Sequence, residues 1–326
     1  MENVKIVGCG YARASSKIEN EALKKAVDTS DEWIQTRTGI ASRYISETEN
    51  TSDLAIRAAQ KAIQNAQINT SQISMIIVAT CTPDNVTPSV ACIVQEALGL
   101  NDKPVMAFDI NAACSGFLFA LQCVASMLQK GYALVIGAET LSKILDWSDR
   151  NTCVLFGDGA GAVLIQRAQD GSTMDFYARS KGDKEHALYC AGRSLQPDLE
   201  NVAQDKPYLS MNGREVFRFA IQAMPDAIYG VLQGQPVEEM DLMIPHQANI
   251  RILEYVSKKM KFPMEKMFVN LDQFGNTSAA SVPIALAQAW EEHKIKENMD
   301  LVLVGFGAGF TWAACKIHIE GGKHQL

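Results

Sequence analysis

Along the chain, short unbroken apolar runs alternate with longer segments whose apolar positions recur every three or four residues. Val4–Val7, Met75–Ala79, Val105–Ile110 and Leu134–Gly137 are of the first kind, rich in β-branched residues as strands buried on both faces are. Asp53–Ala66 and Gly116–Gln129 are of the second kind. In the latter, Phe117, Leu118, Leu121, Val124, Ala125 and Leu128 fall on one helical face, and Gly131 is expected to close the helix. The rhythm returns further on, with helices expected around Glu215–Tyr229 and Ala279–Glu291 ahead of strands at Leu242–Ile244 and Leu301–Val304. Such alternation predicts an α/β chain around a largely buried sheet.

Two segments echo each other. Gly157-Asp158-Gly159-Ala160-Gly161 and Gly305-Phe306-Gly307-Ala308-Gly309 share the pattern G-x-G-A-G and each leads into a strand-like run. With a similar helix–strand order upstream, they suggest an internal duplication: residues 1–170 and 171–326 as two halves, meeting near the turn-like Gln169-Asp170-Gly171-Ser172. Neither run matches G-x-G-x-x-G or opens a helix, so a nicotinamide cofactor is not expected.

Composition narrows the classes. At 47% hydrophobic and 21% charged residues over 326, the chain can bury a large core, which excludes a disordered or fibrous protein. A net charge of −7 argues against nucleic-acid binding, which needs a basic surface. No apolar run approaches the roughly 18 residues of a membrane span, and the start lacks a secretory signal, so membrane insertion is not expected and a cytoplasmic location is. The eight cysteines contain no C-x-x-C pair, which removes the usual zinc and dithiol motifs.

Three segments carry candidate chemistry. Cys114 follows the predicted strand Val105–Ile110 and precedes a helix, where backbone N–H groups and the positive end of the helix dipole favour a thiolate and could hold an oxyanion. A packed core thiol is the alternative. His246, in Pro245-His246-Gln247-Ala248-Asn249, directly follows a predicted strand, the position at which open α/β sheets build sites; a hydrogen-bonded structural histidine is the other reading. Asn276 lies in Gly275-Asn276-Thr277-Ser278-Ala279-Ala280-Ser281, where it could equally cap a helix.

Together, Asn111-Ala112-Ala113-Cys114-Ser115-Gly116-Phe117 and the two segments just quoted resemble the β-ketoacyl-acyl-carrier-protein synthase III family. Thr29-Ser30-Asp31-Glu32-Trp33-Ile34, Arg37-Thr38-Gly39-Ile40 and Phe156-Gly157-Asp158-Gly159-Ala160-Gly161 extend the resemblance, in family order, almost end to end. It implies the thiolase fold, two similar βα halves in a five-layer α/β/α/β/α body, usually homodimeric. It implies ping-pong condensation of an acyl-CoA primer with malonyl-acyl carrier protein, with no cofactor or metal. It carries the nucleophile onto Cys114, the decarboxylation and condensation pair onto His246 and Asn276, and the oxyanion donors onto the backbone N–H groups of Cys114 and Ala308.

The resemblance further assigns Trp33, Arg37, Arg150, Gly213, Phe217 and Asn249 to CoA. For Trp33, a helix-surface anchor beside a Thr29–Glu32 capping box is the alternative. The acyl pocket falls on Thr87, Leu141, Phe156 and Phe306. Many short-chain-selective relatives have a Phe from the partner subunit where Thr87 stands, which suggests room for longer primers. Residues 246–266 hold five basic side chains against two acidic ones. Arg251, Lys258 and Lys259 there are the expected docking patch for an acidic carrier protein. A related condensing enzyme of polyketide or secondary metabolism, and a Cys-His-Asn thioester hydrolase, are the competing functions.

Overall fold

The computed structural model describes residues 3–168, 174–192 and 208–320. Its centre is a pair of sheets. In the first, the strands run in the order Met106–Ile110, Ile73–Ala79, Tyr132–Glu139, Gly159–Arg167, Val4–Arg13. The first two pairings are parallel and the last two antiparallel. The second sheet runs Leu242–Pro245, Asp300–Gly307, Thr311–His318, Met174–Ser180, with one parallel and then two antiparallel pairings. An isolated parallel bridge from Met243 to Met267 marks where a fifth strand would lie. Ranked by chain order within each half, the two sheets have the same arrangement.

Three apolar layers separate and flank the sheets. Between them lie the helices Gly116–Met127 and Ser281–Glu291, whose Phe117, Leu121, Val282 and Leu286 pack with Ile77 and Val135 of one sheet and Ile244 and Leu303 of the other. Thr51–Ala66 and Val90–Ala97 cover the outer face of the first sheet. Gly213–Leu232 and Ile250–Met260 cover that of the second. This is the five-layer α/β/α/β/α thiolase fold. Close approach at the centre depends on missing side chains: a Cβ on Gly161 would fall 2.4 Å from the backbone of Pro283 and Ile284.

Several expected elements move. The strands at Val4 and Leu134 extend to Val4–Arg13 and Tyr132–Glu139, because antiparallel pairing with Gly159–Arg167 continues past the apolar runs. The helix after Cys114 ends at Met127 with Leu128 extended. Gly131 is therefore not its cap but a left-handed turn residue (φ +76°) ahead of the next strand. The G-x-G-A-G runs are not equivalent in space. Gly159–Gly161 begins the last strand of the first half, whereas Gly305–Gly307 ends the preceding strand of the second. The repeat is carried by the strand order. The boundary turn at residues 169–172 lies outside the described residues, apart from its approach through Gln166 and Arg167.

Candidate active site

Cys114 sits in a single 3-10 turn, Ala113–Ser115, that feeds the central helix Gly116–Met127. The side chain of Asn111 accepts the Ala113 N–H (3.1 Å), and Ala113 takes the left-handed conformation (φ +46°). The second half builds the same device. Asn276 Oδ1 accepts the Ser278 N–H (2.9 Å), Ser278 has φ +48°, and a 3-10 turn Ser278–Ala280 leads into Ser281–Glu291. Asn276 thus makes a local turn and is not the helix cap. Its backbone is held in a parallel bridge by Leu155 O (2.8 Å) and Gly157 N (3.0 Å). His246 follows the strand Leu242–Pro245, donates its N–H to Val304 O (2.8 Å), and is gripped by its neighbour. Gln247 donates to the carbonyls of Pro245 and Phe268 and accepts from the Asn270 N–H.

These turns converge. Cys114, His246 and Asn276 line one cavity of about 110 Å³ with Phe156 and Phe306 on its walls. Gly213, Phe217 and Asn249 line the same cavity, where the resemblance put the arm of CoA. The His246 ring meets Phe306 edge-on (5.3 Å between centres). Its Nδ1 is buried with no hydrogen-bond partner, and burial lowers its pKa to about 3, so the imidazole is neutral at physiological pH.

The thiol differs from expectation. Burial pushes Cys114 up to about 12; the Ser278 hydroxyl and the residue's own backbone N–H pull the other way without overcoming it. Burial, reinforced by the nearby Glu139 carboxylate, therefore favours the thiol over the thiolate. Gly307 is forced by this packing, since a Cβ there would lie 2.6 Å from Cys114 N. Gly307 and Phe310 reach the cavity wall, with Ala308 in the turn between them. The Thr311 hydroxyl, 3.0 Å from the carbonyls of both Ala112 and Ala308, ties that turn to the cysteine.

The aromatic and basic residues expected at the nucleotide end also come together. The guanidinium carbons of Arg150 and Arg37 lie 4.7 and 5.5 Å from the Trp33 ring centre, and Arg150 is further held by Asp28 O. The cap of the helix Asp31–Thr38, which carries Trp33 and Arg37, is Ser30, whose Oγ accepts the Trp33 N–H. The expected Thr29–Glu32 box is absent, and Thr29 Oγ1 is buried without a partner. Asn249 caps Ile250–Met260 through Arg251 N–H and donates its amide to Arg37 O, joining the two regions.

The remaining assignments are spread out. Leu141 and Phe156 share a small apolar cluster with Leu145, but Leu141 does not reach the cavity wall. Thr87 is exposed, next to Val86, in the loop before the helix Val90–Ala97, away from this chain's own cavity. Arg251, Lys258 and Lys259 are exposed on Ile250–Met260; Arg251 donates to Thr36 O and Lys259 to Ile221 O. Three residues beside Cys114 escaped sequence reasoning in this role: Ser278, Cys81 and the fully buried Glu139. The signal for Glu139 was a lone carboxylate ending an apolar run.

A cysteine at a central helix start, sharing its cavity with a His and an Asn from the other half, fits a condensing enzyme of the thiolase fold. Residues 108–182 match 3-oxoacyl-[acyl-carrier-protein] synthase III, and residues 233–319 match its C-terminal part. A beta-ketoacyl-[acyl-carrier-protein] synthase III of Clostridium perfringens is 48% identical, over 98% of this chain and 100% of the relative. The crystal structure of a 3-oxoacyl-[acyl-carrier-protein] synthase III from Aquifex aeolicus superposes with a TM-score of 0.89 at 42% identity, covering 97% and 99% of the two chains. The priming β-ketosynthase of the R1128 polyketide pathway superposes at 0.90 with 28% identity, covering 99% and 98%. The chain belongs to the β-ketoacyl-acyl-carrier-protein synthase III family, the acyltransferases that initiate fatty-acid synthesis.

Proposed function

We propose that this enzyme condenses an acyl-CoA primer with malonyl-acyl carrier protein by a ping-pong route through an acyl-cysteine on Cys114. The observation that carries this reading is the shared cavity: Cys114, His246 and Asn276 arrive from separate turns and face one another there. Attack of the sulfur on the thioester expels CoA. Malonyl thioester then enters and loses CO₂, and the enolate oxygen is held by donors from neutral His246 and the Asn276 amide. Asn276 Oδ1 is already spent on the Ser278 N–H, which leaves the NH₂ to face substrate. The carbanion attacks the acyl-cysteine, whose oxyanion meets the N–H groups of Cys114 and Ala308. Phe156 and Phe306 bound the acyl chain, with Leu141 clustered with Phe156 outside the cavity wall and Thr87 reaching the pocket of a second copy.

In this reading Trp33, Arg37 and Arg150 hold the nucleotide end of CoA. A base stacked between Trp33 and a guanidinium needs about 3.5 Å on each face, so Arg150, now 4.7 Å from the ring centre, swings outward on binding. Gly213, Phe217 and Asn249 line the arm, and Arg251, Lys258 and Lys259 receive the carrier. No residue is assigned to a cofactor. A homodimer is supported by the edge strand Met106–Ile110, which pairs on one side among the described residues and leaves Met106 half exposed. Asp109 of that strand anchors the end of the Thr87 loop through Val90 and Ala91 N–H. The absence of a disulfide among the described residues accords with a cytoplasmic location. The halves 1–170 and 171–326 are kept as the division of the chain.

Mixing the protein with acetyl-CoA and malonyl-carrier protein and weighing the products tests the function. A 3-ketoacyl carrier supports it; free acid alone marks a thioester hydrolase. Close superposition on a polyketide priming ketosynthase keeps a second reading in view, the same chemistry on the starter unit of a secondary metabolite. Turnover with the carrier of fatty-acid synthesis separates the two.

A further inference from the structure

One buried cation takes no part in the mechanism above. Arg43, on the strand Ser42–Ile45, is wholly buried and packs against two glycines: a Cβ added at Gly157 or Gly275 would stand 3.0 or 3.4 Å from Arg43 Cβ. Its guanidinium is shared between two segments far apart in sequence. One terminal nitrogen donates to Asn20 Oδ1 (2.9 Å) and the other to Val154 O (2.7 Å). Both acceptors are neutral, and Nε is buried without a partner. Burial lowers the pKa to about 10, so the group stays charged at neutral pH. A desolvated charge on neutral acceptors is a poor source of stability.

Both arms lead to residues assigned above to the nucleotide of CoA. Asn20 passes the first arm on, its Nδ2 donating to Asp31 Oδ1 (2.8 Å) and to Ile40 O (2.7 Å). Asp31 is the first residue of the helix that carries Trp33 and Arg37, and Ile40 lies just past its end. The second arm holds the carbonyl of Val154, the C-cap of the short helix Arg150–Cys153. Leu23, Ile34, Ile40, Cys153 and Val154 belong to one apolar cluster. One guanidinium thus ties together the backbones on the two sides of the Trp33–Arg150 contact.

We propose that Arg43 is a positioning residue that fixes the spacing between the helices carrying Trp33 and Arg150, and so governs binding of the nucleotide end of acyl-CoA. The inference rests on the CoA reading of Trp33, Arg37 and Arg150. For a base to enter, the Arg150 side chain moves outward and gives up its bond to Asp28 O, a tie between the same two regions. The buried tie through Arg43 does not depend on that movement, so it holds the walls while the side chain yields. The planar fork matters: its two terminal nitrogens reach acceptors on separate segments, whereas a lysine offers a single nitrogen.

The test compares enzyme acylation by acetyl-CoA with acylation by S-acetyl-N-acetylcysteamine, which carries the same thioester but no nucleotide. Second-order rate constants are measured for wild type, Arg43→Lys, Arg43→Met, Asp31→Ala and Trp33→Ala, and each protein is read as the ratio of the two substrates. Arg43→Lys and Arg43→Met should lower that ratio at least about tenfold, through a raised half-saturation concentration for acetyl-CoA and not a lower limiting rate. Asp31→Ala cuts only the first arm, at a half-buried residue, and should lower the ratio about threefold or more. That variant decides the matter if those at Arg43 fail to fold. An unchanged ratio overturns the inference, and so does equal loss with both substrates, because general distortion of the site would then explain it. Trp33→Ala tests the underlying reading separately. A lowered ratio there beside unchanged ratios at Arg43 and Asp31 overturns the clamp alone; an unchanged ratio in Trp33→Ala removes the nucleotide site and the clamp with it.

Discussion

Ala113 and Ser278 occupy equivalent positions in the two halves, each two residues beyond an asparagine that caps its N–H and each left-handed, with φ of +46° and +48°. Each opens a 3-10 turn that runs into a central helix. The first turn presents Cys114, and the second puts Ala279 at the matching place. One half thus supplies the sulfur; the other supplies the Asn276 amide that shares its cavity. Backbone strain at both turns is held by the packing of the central helices between two sheets.

Replacing Cys114 by Ala should abolish acyl-enzyme formation and condensation while leaving malonyl decarboxylation measurable, since His246 and Asn276 remain. Intact-mass analysis after incubation with acyl-CoA reads this directly. An adduct persisting on another cysteine would remove Cys114 from its role.

Reversing charge at Arg251 and Lys258 should raise KM for malonyl-carrier protein about tenfold or more, with little change in acylation by acyl-CoA. The penalty should shrink as salt rises, because both side chains are exposed and their attraction is screened. Parallel losses with both substrates would point to damage at Thr36, whose carbonyl Arg251 holds.

Threonine at position 87 predicts tolerance of primers longer than acetyl, each buried methylene contributing up to about 0.8 kcal/mol. Thr87→Phe should restore preference for the shortest. Comparing kcat/KM for acetyl-, hexanoyl- and dodecanoyl-CoA decides it; strict acetyl preference in wild type defeats the idea.

His246 shapes the acid limb of stability. Its folded pKa, about 3, lies below the unfolded value near 6.5, so between these limits the unfolded chain binds more protons. The stabilisation from keeping it neutral is complete above about pH 6.5 and is lost as pH falls toward 3, a change on the order of a few kcal/mol. Glu139, with a raised pKa, works in the opposite direction, so the wild-type profile is a sum. Melting temperatures of wild type and His246→Asn from pH 7 to 4.5 isolate the histidine. The variant should lose less on acidification, and identical slopes would refute the assignment.

Gly161→Ala should destabilise the protein by at least about 1–3 kcal/mol, as its Cβ would collide with the backbone of Pro283 and Ile284. Urea denaturation measures this. A neutral result would mean that the central helix Ser281–Glu291 can slide away from the first sheet.

Period and local chemistry alone made much of this protein legible. Buried strands read as apolar runs and central helices as apolar stripes, because burial on both faces leaves no other composition stable. Cys114, His246 and Asn276 stood out because each sits in a polar or small-residue turn beside such a run. The resemblance then grouped them, and they share one cavity. Strand ends were missed where pairing with Gly159–Arg167 outlasted the hydrophobic pattern. The G-x-G-A-G runs fall at non-equivalent places in the two halves, while the equivalent turns, beginning at Asn111 and Asn276, share conformation more than letters. Tertiary structure alone decided the state of the sulfur and the company of Ser278 and Glu139. Helix position is a property of local sequence, whereas the water lost around Cys114 depends on residues as distant along the chain as Phe310 closing over its cavity.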